Sequence, residues 1–293
     1  MKINKFKLKN PKNIFIYYRS QTPKATECSE KLAVWLQKKK FKVYSTAEPQ
    51  WIPGTLPVKT QNMLDKIDLV VVLGGDGTYL RAVQILAGRQ IPILGFNMGS
   101  LGFLTAHNAS EMFDLVEAAL SGGMIQKPRS MIDAKIVRKN KTRGQFHALN
   151  DVVIERGDLS QLINTIIHSE NFFVSKVKAD GFIISSPSGS TAYNLAAGGP
   201  IVHPDTKALV VTAVAPHSLT SRPLIFPDHL ELRFKLDAPT QSAYLIVDGQ
   251  KKITLSLDDE VVIKRSRFDH WVVRAPNHNF FHLLREKLRF GDR

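Results

Sequence analysis

The sequence is poor in cysteine and has no long apolar run. Cys28 is the only cysteine among 293 residues, so a disulfide within the chain is excluded. The longest apolar runs are far shorter than the roughly 20 residues that cross a bilayer. The apolar stretch 14–18 near the N-terminus is too short for the core of a signal peptide. We therefore expect a cytoplasmic protein with no membrane partner.

Acidic residues are few compared with basic ones. The chain has 26 Asp and Glu against 40 Lys and Arg, which gives a formal net charge of +14. It has no zinc-finger spacing, no basic-zipper heptads and no aromatic motif of the RNA-recognition type, so we do not expect a nucleic-acid partner. Two interpretations of the charge stay open: a solvated basic surface, or a surface that attracts small polyanions such as nucleotides.

Residues 1–125 alternate between strand-like and helix-like patterns. The run IDLVVVL at 67–73 is continuously apolar, which is typical of a strand buried on both faces of a parallel sheet. Helical spacing follows at 78–87, and a second buried strand pattern follows at 91–96. This order predicts an α/β domain over 1–125 with a Rossmann-like parallel sheet.

The pattern changes after Pro128 to short, β-branched runs. Asp248-Gly249 and Asp258-Asp259 separate such runs, and we predict that both pairs form hairpin turns. Residues 126–275 are therefore predicted to form an all-β, sandwich-like domain. Helical spacing returns at 280–290, so the segment 276–293 is predicted to pack back on the first domain as a helical tail.

The glycine-rich segment LGGDGT at 73–78 joins a predicted strand to a predicted helix. Glycines let backbone amides approach an anion, and the N-terminus of a helix attracts negative charge. The segment matches neither GxGxxG nor GxxxxGK[ST]. The candidate phosphate-binding residues here are Gly74, Gly75, Gly77 and Thr78.

Asp76 is an unusual residue in such a turn, because phosphate repels a carboxylate. We predict that Asp76 accepts a proton from an alcohol that attacks a phosphate, or helps to hold a metal on that phosphate. The alternative is structural: Asp76 caps the helix that starts near Thr78.

A second cluster of small residues covers KADGFIISSPSGSTAYNLAAGGP at 178–200. Its hydroxyl groups and glycines suit the phosphates and ribose of a nucleotide, and Tyr193 offers a flat face for a base. The cluster does not match the nucleophile elbow GxSxG, so covalent serine catalysis is not expected. The alternative is an ordinary polar turn. Asn150-Asp151 interrupts the apolar strand pattern 146–155, and each side chain faces either solvent or a ligand.

Five motifs occur together and in order: GGDGT (74–78), NMGSLGF (97–103), the Asn150-Asp151 pair, DGFIISSPSGSTAYNLAAGGPI (180–201) and PHSLTSRPL (216–224). Together they resemble the bacterial NAD kinases of the GGDGT kinase superfamily, which phosphorylate the 2′-hydroxyl of the adenosine ribose of NAD. The resemblance extends from about residue 14 to the C-terminal LREKLRF. Diacylglycerol, sphingosine and phosphofructokinases carry versions of GGDGT alone, whereas the serine-rich block with TAY is specific to this family.

The resemblance implies a role for each matching residue. Asp76 matches the proton acceptor, Asp180 the contact to the nicotinamide carboxamide, and Asp151 a position where many members have glutamate. Lys178 stands where some members have arginine. Arg81 is expected to meet phosphate, and Phe103 is expected to pack on adenine. The implied NAD-binding residues are Asp76, Gly77, Arg81, Phe103, Asn150, Asp151, Lys178, Asp180, Ser188, Thr191, Ala192, Tyr193, Asn194, Ala196 and Gln250.

The resemblance also implies ATP or polyphosphate as phosphoryl donor, a divalent cation such as Mg²⁺, and a homotetramer. Two alternatives stay open: a lipid or sugar kinase that shares the GGDGT turn, and a non-catalytic dinucleotide-binding protein. His278 and His282 have the i,i+4 spacing of zinc ligands, but no HExxH context and no third ligand accompany them. Zinc is therefore not expected.

Overall fold

The computed structural model of the chain describes residues 5–8, 10–47, 51–157, 161–237, 242–289 and 291. The chain divides into two compact units. Unit 1 comprises Met1–Pro128 and His270–Arg293, and unit 2 comprises Arg129–Asp269. The divisions fall a few residues from the boundaries predicted after residues 125 and 275. None of the helices in the described ranges combines the length and the apolar character that a bilayer span requires.

The strands within the described ranges, in chain order, are β1 (Lys5–Phe6), β2 (Asn13–Tyr18), β3 (Lys42–Thr46), β4 (Leu56–Val58), β5 (Leu69–Leu73), β6 (Ile93–Asn97), β7 (His107–Asn108), β8 (Met124–Arg138), β9 (Lys141–Ala148), β10 (Asp151–Arg156), β11 (Ile163–Ser169), β12 (Phe172–Ala179), β13 (Gly181–Ser185), β14 (Ala208–Val214), β15 (Leu224–Pro227), β16 (Leu232–Leu236), β17 (Ala243–Val247), β18 (Lys251–Leu255) and β19 (Asp259–Arg274). The α-helices described are α1 (Pro23–Lys38), α2 (Asp76–Leu86), α3 (Met112–Ser121), α4 (Tyr193–Ala196) and α5 (Phe280–Leu288).

Unit 1 contains a parallel sheet. Its strands lie in the order β4, β3, β2, β5, β6, and the last residues of β19 pair in parallel with β6 through Val272 and Ile93. All five residues of β5 are buried, because helices cover both faces of a parallel sheet and its central strands must be apolar throughout. The predicted α/β domain with a Rossmann-like sheet is confirmed.

The C-terminal segment also belongs to unit 1. The N-cap of helix α5 is Asn279, whose side chain accepts a hydrogen bond from the amide of His282 at 2.8 Å. Leu283 and Leu284 of α5 are buried, and the ring of Phe280 lies 6.2 Å from that of Phe103. The prediction of a helical tail that returns to the first domain is confirmed, except that residue 290 lies outside the described residues.

Unit 2 consists of two antiparallel layers. One is a six-stranded sheet in the order β15, β14, β13, β10, β17, β18, and the other contains β12, β11, β16 and the first part of β19. The two inner faces share one apolar core, in which the rings of Phe182 and Phe234 are 6.3 Å apart. This arrangement confirms the predicted sandwich-like β domain.

The two predicted hairpin turns have different outcomes. Asp248-Gly249 joins β17 to β18, and both residues have positive φ, 49° and 63°, as a type I′ turn requires. The prediction for Asp258-Asp259 is wrong, because β18 lies in the six-stranded sheet whereas β19 lies in the other layer. There the Asp259 carboxylate accepts hydrogen bonds from Arg138 and from the Ser256 amide, which fixes the crossing between layers.

Candidate active site

The glycine turn of unit 1 lies at the carboxyl end of β5. The Gly74 amide donates to the carbonyl of Phe96 at 2.9 Å, which continues the pairing with β6 by one residue. Helix α2 begins at Asp76, with Gly75 as its N-cap, two residues earlier than predicted. A Cβ on Gly74 would lie 2.5 Å from Oγ1 of Thr78, so only glycine fits there. The turn therefore sits where open parallel sheets bind ligands.

Gly75 and Gly77 are glycines for a different reason. A Cβ on either residue would meet no heavy atom of the described residues within 4 Å, and neither residue has a positive φ. Packing and backbone conformation of unit 1 thus do not require glycine at either position. Their small size instead leaves the amides at the start of α2 accessible, which suits a phosphate group.

Asp76 is bound to a loop distant in sequence rather than to its own helix. Its Oδ1 accepts hydrogen bonds from the amides of Leu104 and Thr105 and from the Thr105 hydroxyl, at 3.0, 2.9 and 2.9 Å. Its Oδ2 accepts from the amide of Phe103 at 2.8 Å and from Lys287 at 3.3 Å. The side chain of Asp76 is thus an anchor for the loop 103–105, and the capping alternative does not describe it.

These partners keep Asp76 ionised. Burial alone would raise the pKa of its carboxyl group, but the charge of Lys287 and the hydrogen bonds from Thr105 and Phe103 outweigh burial, so the pKa lies below its ordinary value. Asp76 therefore acts as a hydrogen-bond acceptor at neutral pH.

The loop 103–105 is held from its carbonyl side as well. Arg274, a buried residue at the end of β19, donates to the carbonyls of Phe103 and Leu104 at 2.7 and 2.8 Å. Gly102 is required because a Cβ there would clash with Oδ1 of Asp76. Sequence reasoning missed Arg274 and Thr105, since no local pattern reveals a contact across 29 to 171 residues.

Two further residues of unit 1, Arg81 and Phe103, were predicted to contact the ligand. Arg81 is exposed on α2, one turn beyond the glycines. Phe103 is half-buried, with Nζ of Lys287 4.7 Å from its ring centroid and the ring of Phe280 alongside. In unit 1 itself the face of Phe103 is thus covered by α5.

In unit 2 Asp180 lies at one end of β13, where Gly181 pairs with Glu155. Asn150, Asp151 and Gln250 lie at the opposite end of the strands of the six-stranded sheet. Strand β10 starts there, whereas β13 and β17 end there, because Asp151 pairs with Ser185 and Val152 with Val247. Asn150 lies between β9 and β10, and Asp151 is the first residue of β10, which corrects the single predicted strand 146–155. Both side chains are buried, so neither simply faces solvent.

The backbone at 149–151 and the turn Asp248-Gly249 form a corner of unit 2 that is held together by the side chain of Asp248. The sequence predicted Asp248 only as a turn residue. Its carboxylate accepts the amides of Leu149, Asn150 and Asp151 at 2.9, 2.8 and 3.2 Å. The Asp248 amide donates back to the carbonyl of Asp151 at 3.0 Å. The turn Asp248-Gly249 therefore fixes the backbone that presents Asn150 and Asp151. The DG pair correctly predicted that Asp248 lies in a turn, but it gave no information about the amides that the Asp248 carboxylate binds.

Asp151 has a strongly altered protonation equilibrium. Burial raises the pKa of its carboxyl group to about 7, and the negative charge of Asp248 contributes in the same direction. At neutral pH the carboxyl group of Asp151 is therefore protonated in about half of the molecules and can donate a hydrogen bond.

The raised pKa of Asp151 makes the stability of the protein depend on pH. The folded chain keeps a proton that the unfolded chain loses above pH 4, so the free energy of unfolding falls as the pH rises from about 4 to about 7. Asp151→Asn mimics the neutral carboxyl group. Between pH 5 and 7 we expect the free energy of unfolding of this variant to fall by about 2 kcal/mol less than that of the original protein. Urea titrations of both proteins across pH 5–8 measure this difference, and parallel curves of unfolding free energy against pH would contradict the raised pKa of Asp151.

The serine loop after β13 is mostly internal structure. Ser186 donates to the carbonyl of Leu149 and accepts the amide of Gly189, and a Cβ on Gly189 would clash with the carbonyl of Asn150. Ser190 bridges Pro187 and Val202. The predicted ligand loop is thus tied to the Asn150-Asp151 corner by its own hydroxyls. Oγ of Ser188, by contrast, is buried with no hydrogen-bond partner among the described atoms.

Asn194 has a structural task in this loop. Its side chain is buried, donates to the carbonyls of Ser190 and Pro200, and accepts the hydroxyl of Thr212 at 2.7 Å. These bonds use its amide within unit 2, so only its backbone remains for the ligand contact that the resemblance implies. The neighbouring Thr191, Ala192 and Ala196 are at least partly exposed.

Tyr193 is an exposed aromatic residue. The ring is 45% exposed, so it is not a core tyrosine. Burial raises the pKa of its hydroxyl, and the negative charges of Glu155, Asp151 and Asp180 act in the same direction. Asp180 in turn is paired with Nε of Arg156 at 3.0 Å. A flat aromatic face beside polar acceptors suits a nucleoside.

The remaining predicted residues of unit 2 lie on its surface. Lys178 on β12 is exposed, and its carbonyl accepts the amide of His217 at 2.8 Å. Gln250 follows the turn Asp248-Gly249 and is half-buried, and its amide donates to the carbonyl of Val247.

The histidines with zinc-like spacing have other neighbours. The ring of His278 lies 5.5 Å from that of His107, and His282 pairs with Glu286 at 3.2 Å. In the ranges that the structure describes, no three His, Cys, Asp or Glu side chains come together as a metal site.

Comparison with known proteins identifies the family. Residues 14–124 match the ATP-NAD kinase N-terminal domain, and residues 149–275 match the ATP-NAD kinase C-terminal domain. The chain belongs to the NAD kinase family. It is therefore a phosphotransferase whose acceptor is an alcohol. The resemblance to NAD kinases that the motifs predicted is confirmed, and the alternative of a lipid or sugar kinase is not supported.

Individual NAD kinases resemble the chain along its length. The NAD kinase of Bdellovibrio bacteriovorus is 60% identical over 292 residues, covering 100% of this chain and 96% of that protein. That of Geobacter metallireducens is 36% identical, covering 96% and 100%. The crystal structure of yeast NADH kinase complexed with NADH has a TM-score of 0.89 at 26% identity, covering 97% and 89%. An Archaeoglobus fulgidus NAD kinase in complex with ATP shares the fold, with a TM-score of 0.74 at 22% identity and coverage of 93% and 98%.

Proposed function

We propose that this chain transfers the γ-phosphoryl group of ATP, or a phosphoryl group of polyphosphate, to the 2′-hydroxyl of the adenosine ribose of NAD, which yields NADP. The observation that carries the proposal is the ionised carboxylate of Asp76 at the start of α2, beside two glycines that leave the helix amides accessible. The NADH and ATP complexes of the yeast and archaeal relatives support this choice of substrates.

The phosphates of the donor lie at the N-terminus of α2 in this proposal. The amides of Gly75 and Gly77 and the positive end of the helix attract them. The amides of Gly74 and Thr78 are bonded to the carbonyls of Phe96 and Gly75, so these two residues shape the turn. The divalent cation that the resemblance implies, such as Mg²⁺, would arrive on ATP, whose phosphate oxygens suit it as ligands. When bound, that ion neutralises negative charge on the phosphates.

Asp76 orients the attacking hydroxyl. Its Oδ2 has fewer donors than Oδ1, and its contact with Lys287 is long at 3.3 Å, so Oδ2 is the oxygen that accepts the ribose hydroxyl. A carboxylate with a lowered pKa is a weak base. Phosphoryl transfer tolerates this, because in a loose transition state bond formation and proton loss come late, and positioning supplies most of the acceleration.

NAD is held by the corner of unit 2 in the same proposal. Asn150 and Asp151 offer an amide and a half-protonated carboxyl group, and Tyr193 offers an exposed ring. The buried hydroxyl of Ser188 supplies a further polar group that has no described partner within unit 2. Asp180, aligned by Arg156, accepts a hydrogen bond from a carboxamide. The resemblance implies further NAD contacts in each unit: Gly77, Arg81 and Phe103 in unit 1, and Lys178, Thr191, Ala192, Asn194, Ala196 and Gln250 in unit 2.

Two glycine substitutions separate ligand binding from folding. Gly77→Ala adds a Cβ that meets no described atom and removes a flexible residue from α2, so we expect stability within about 0.5 kcal/mol of the original and at least a tenfold higher KM for ATP. Gly74→Ala forces a clash with Thr78 and is expected to cost about 2 kcal/mol of stability. Thermal unfolding and initial rates measure both effects. An unchanged KM in Gly77→Ala would remove this glycine from the proposed site.

The decisive experiment is NADP formation. Purified protein is incubated with NAD, MgCl₂ and either ATP or polyphosphate, and NADP is read with a coupled NADP-specific dehydrogenase. Diacylglycerol and fructose 6-phosphate with labelled ATP serve as competing acceptors. NADP formation from either donor supports the proposal, whereas phosphorylation of lipid or sugar alone would overturn it.

We also propose a cytoplasmic homotetramer, as the resemblance implies. Light scattering coupled to size-exclusion chromatography measures the mass in solution. A mass near that of a single chain of 32.8 kDa would contradict the tetramer.

A further inference from the structure

The C-terminal helix of unit 1 delivers a cation to the proposed catalytic carboxylate. Lys287 lies in the last turn of α5, and its Nζ is 3.3 Å from Oδ2 of Asp76 and 4.7 Å from the ring centroid of Phe103. Its side chain is 32% exposed, so the interaction is partly shielded from solvent. One ammonium group thus contacts Asp76 and also the ring of Phe103, whose amide donates to Asp76.

Helix α5 is held firmly enough to place that cation. Its N-terminus is capped by Asn279, and its apolar face buries Leu283 and Leu284. Phe280, at its start, packs beside Phe103, the residue whose amide binds Asp76. For a lysine on a flexible tail, the entropy lost on ordering the side chain would offset much of its Coulomb attraction to Asp76. A packed helix limits that loss of entropy.

We infer that Lys287 is a positioning residue for phosphoryl transfer, which holds Oδ2 of Asp76 toward the acceptor hydroxyl. The inference rests on the proposed function of Asp76. Lys287 acts through the carboxylate and not on the phosphates, because its Nζ already lies between Oδ2 and the Phe103 ring. The other charged group at this loop is Arg274, which binds the carbonyls of Phe103 and Leu104 and remains in place in every variant below.

Three single variants test the inference. Lys287→Met keeps the apolar stem and removes the charge, and we expect kcat for NADP formation to fall about tenfold while the KM for NAD stays within about twofold. Lys287→Arg restores a cation and is expected to recover kcat to within about threefold. Arg285→Met removes a cation from the exposed face of the same helix and is expected to change neither constant.

A pH profile and a double variant separate positioning from other roles. Because Lys287 lowers the pKa of Asp76, the acid limb of kcat is expected to move to higher pH in Lys287→Met. In an Asp76→Asn background the same substitution is expected to change the residual rate less than twofold. An unshifted acid limb, or an equal loss of rate in both backgrounds, overturns the inference. If the original protein forms no NADP, the proposed function itself has failed instead.

Discussion

Replacing Asp76 by asparagine is expected to lower kcat for NADP formation by about a thousandfold, with the Kd of NAD changed only a few-fold. Asparagine keeps the size of the side chain but replaces one acceptor oxygen by an NH₂ group. Oδ1 serves three donors of Leu104 and Thr105, so the NH₂ group takes the place of Oδ2. The acceptor for the ribose hydroxyl is then lost, and the loop 103–105 keeps most of its anchor.

The matched control for this substitution is Asp68→Asn. Asp68 is also a carboxylate that accepts two backbone amides, those of Lys12 and Asn13 at 2.8 and 2.9 Å. It precedes β5, at the opposite end of the strand from the glycine turn. We expect Asp68→Asn to leave kcat within about twofold. Stopped-flow or steady-state rates together with calorimetric NAD binding measure both variants. A normal kcat with weakened NAD binding in Asp76→Asn would make Asp76 a binding residue and not the acceptor.

The architecture of unit 1 could be read from the sequence because its signals are local. IDLVVVL has no polar alternation, so it fits only a strand covered on both faces, and β5 is buried at every position. The strand predicted at 91–96 corresponds to β6, which spans Ile93–Asn97. The start of α2 was placed two residues late, because Thr78 has the chemistry of a cap while Gly75 occupies the N-cap position.

The partners of Asp76 could not be read from the sequence. Sequence reasoning offered a helix cap or a catalytic group, and both assume contacts near residue 76. The carboxylate instead binds amides 27 to 29 residues away and an ammonium group 211 residues away. Such contacts depend on how β6 and α5 return to the end of β5. The glycines of the LGGDGT turn therefore predicted the place of the site, and tertiary structure decided the surroundings of its acid.

Asp248 shows the same limit in unit 2. The DG pair correctly predicted a hairpin turn, in which both residues adopt the positive φ of type I′. Its carboxylate, however, serves amides 97 to 99 residues earlier in the chain. The pair Asp258-Asp259 gave a similar local signal and yet joins two different sheets, because turn chemistry alone does not specify which strands pair.

Asp248→Ala is expected to lower the free energy of unfolding by about 3 kcal/mol and to weaken NAD binding at least tenfold. The amides of Leu149, Asn150 and Asp151 are buried and would lose their shared acceptor. Each unsatisfied buried amide costs about 1 kcal/mol or more. Removing the Asp248 charge also lowers the pKa of Asp151, which offsets part of the loss in unfolding free energy. Burial is the larger cause of the raised pKa of Asp151, and it remains in the variant.

Asp258→Ala is the matched control, because Asp258 is an exposed acid in the next turn of the chain. Its loss is expected to change stability by less than about 0.5 kcal/mol. Urea unfolding followed by circular dichroism, with calorimetric NAD binding, compares the two variants. Equal stabilities would mean that water replaces the three hydrogen bonds at no cost. If the backbone at 149–151 presents Asn150 and Asp151 to NAD, loss of the Asp248 carboxylate must also weaken NAD binding. Reduced stability with unchanged NAD affinity would therefore show that this corner does not bind the dinucleotide.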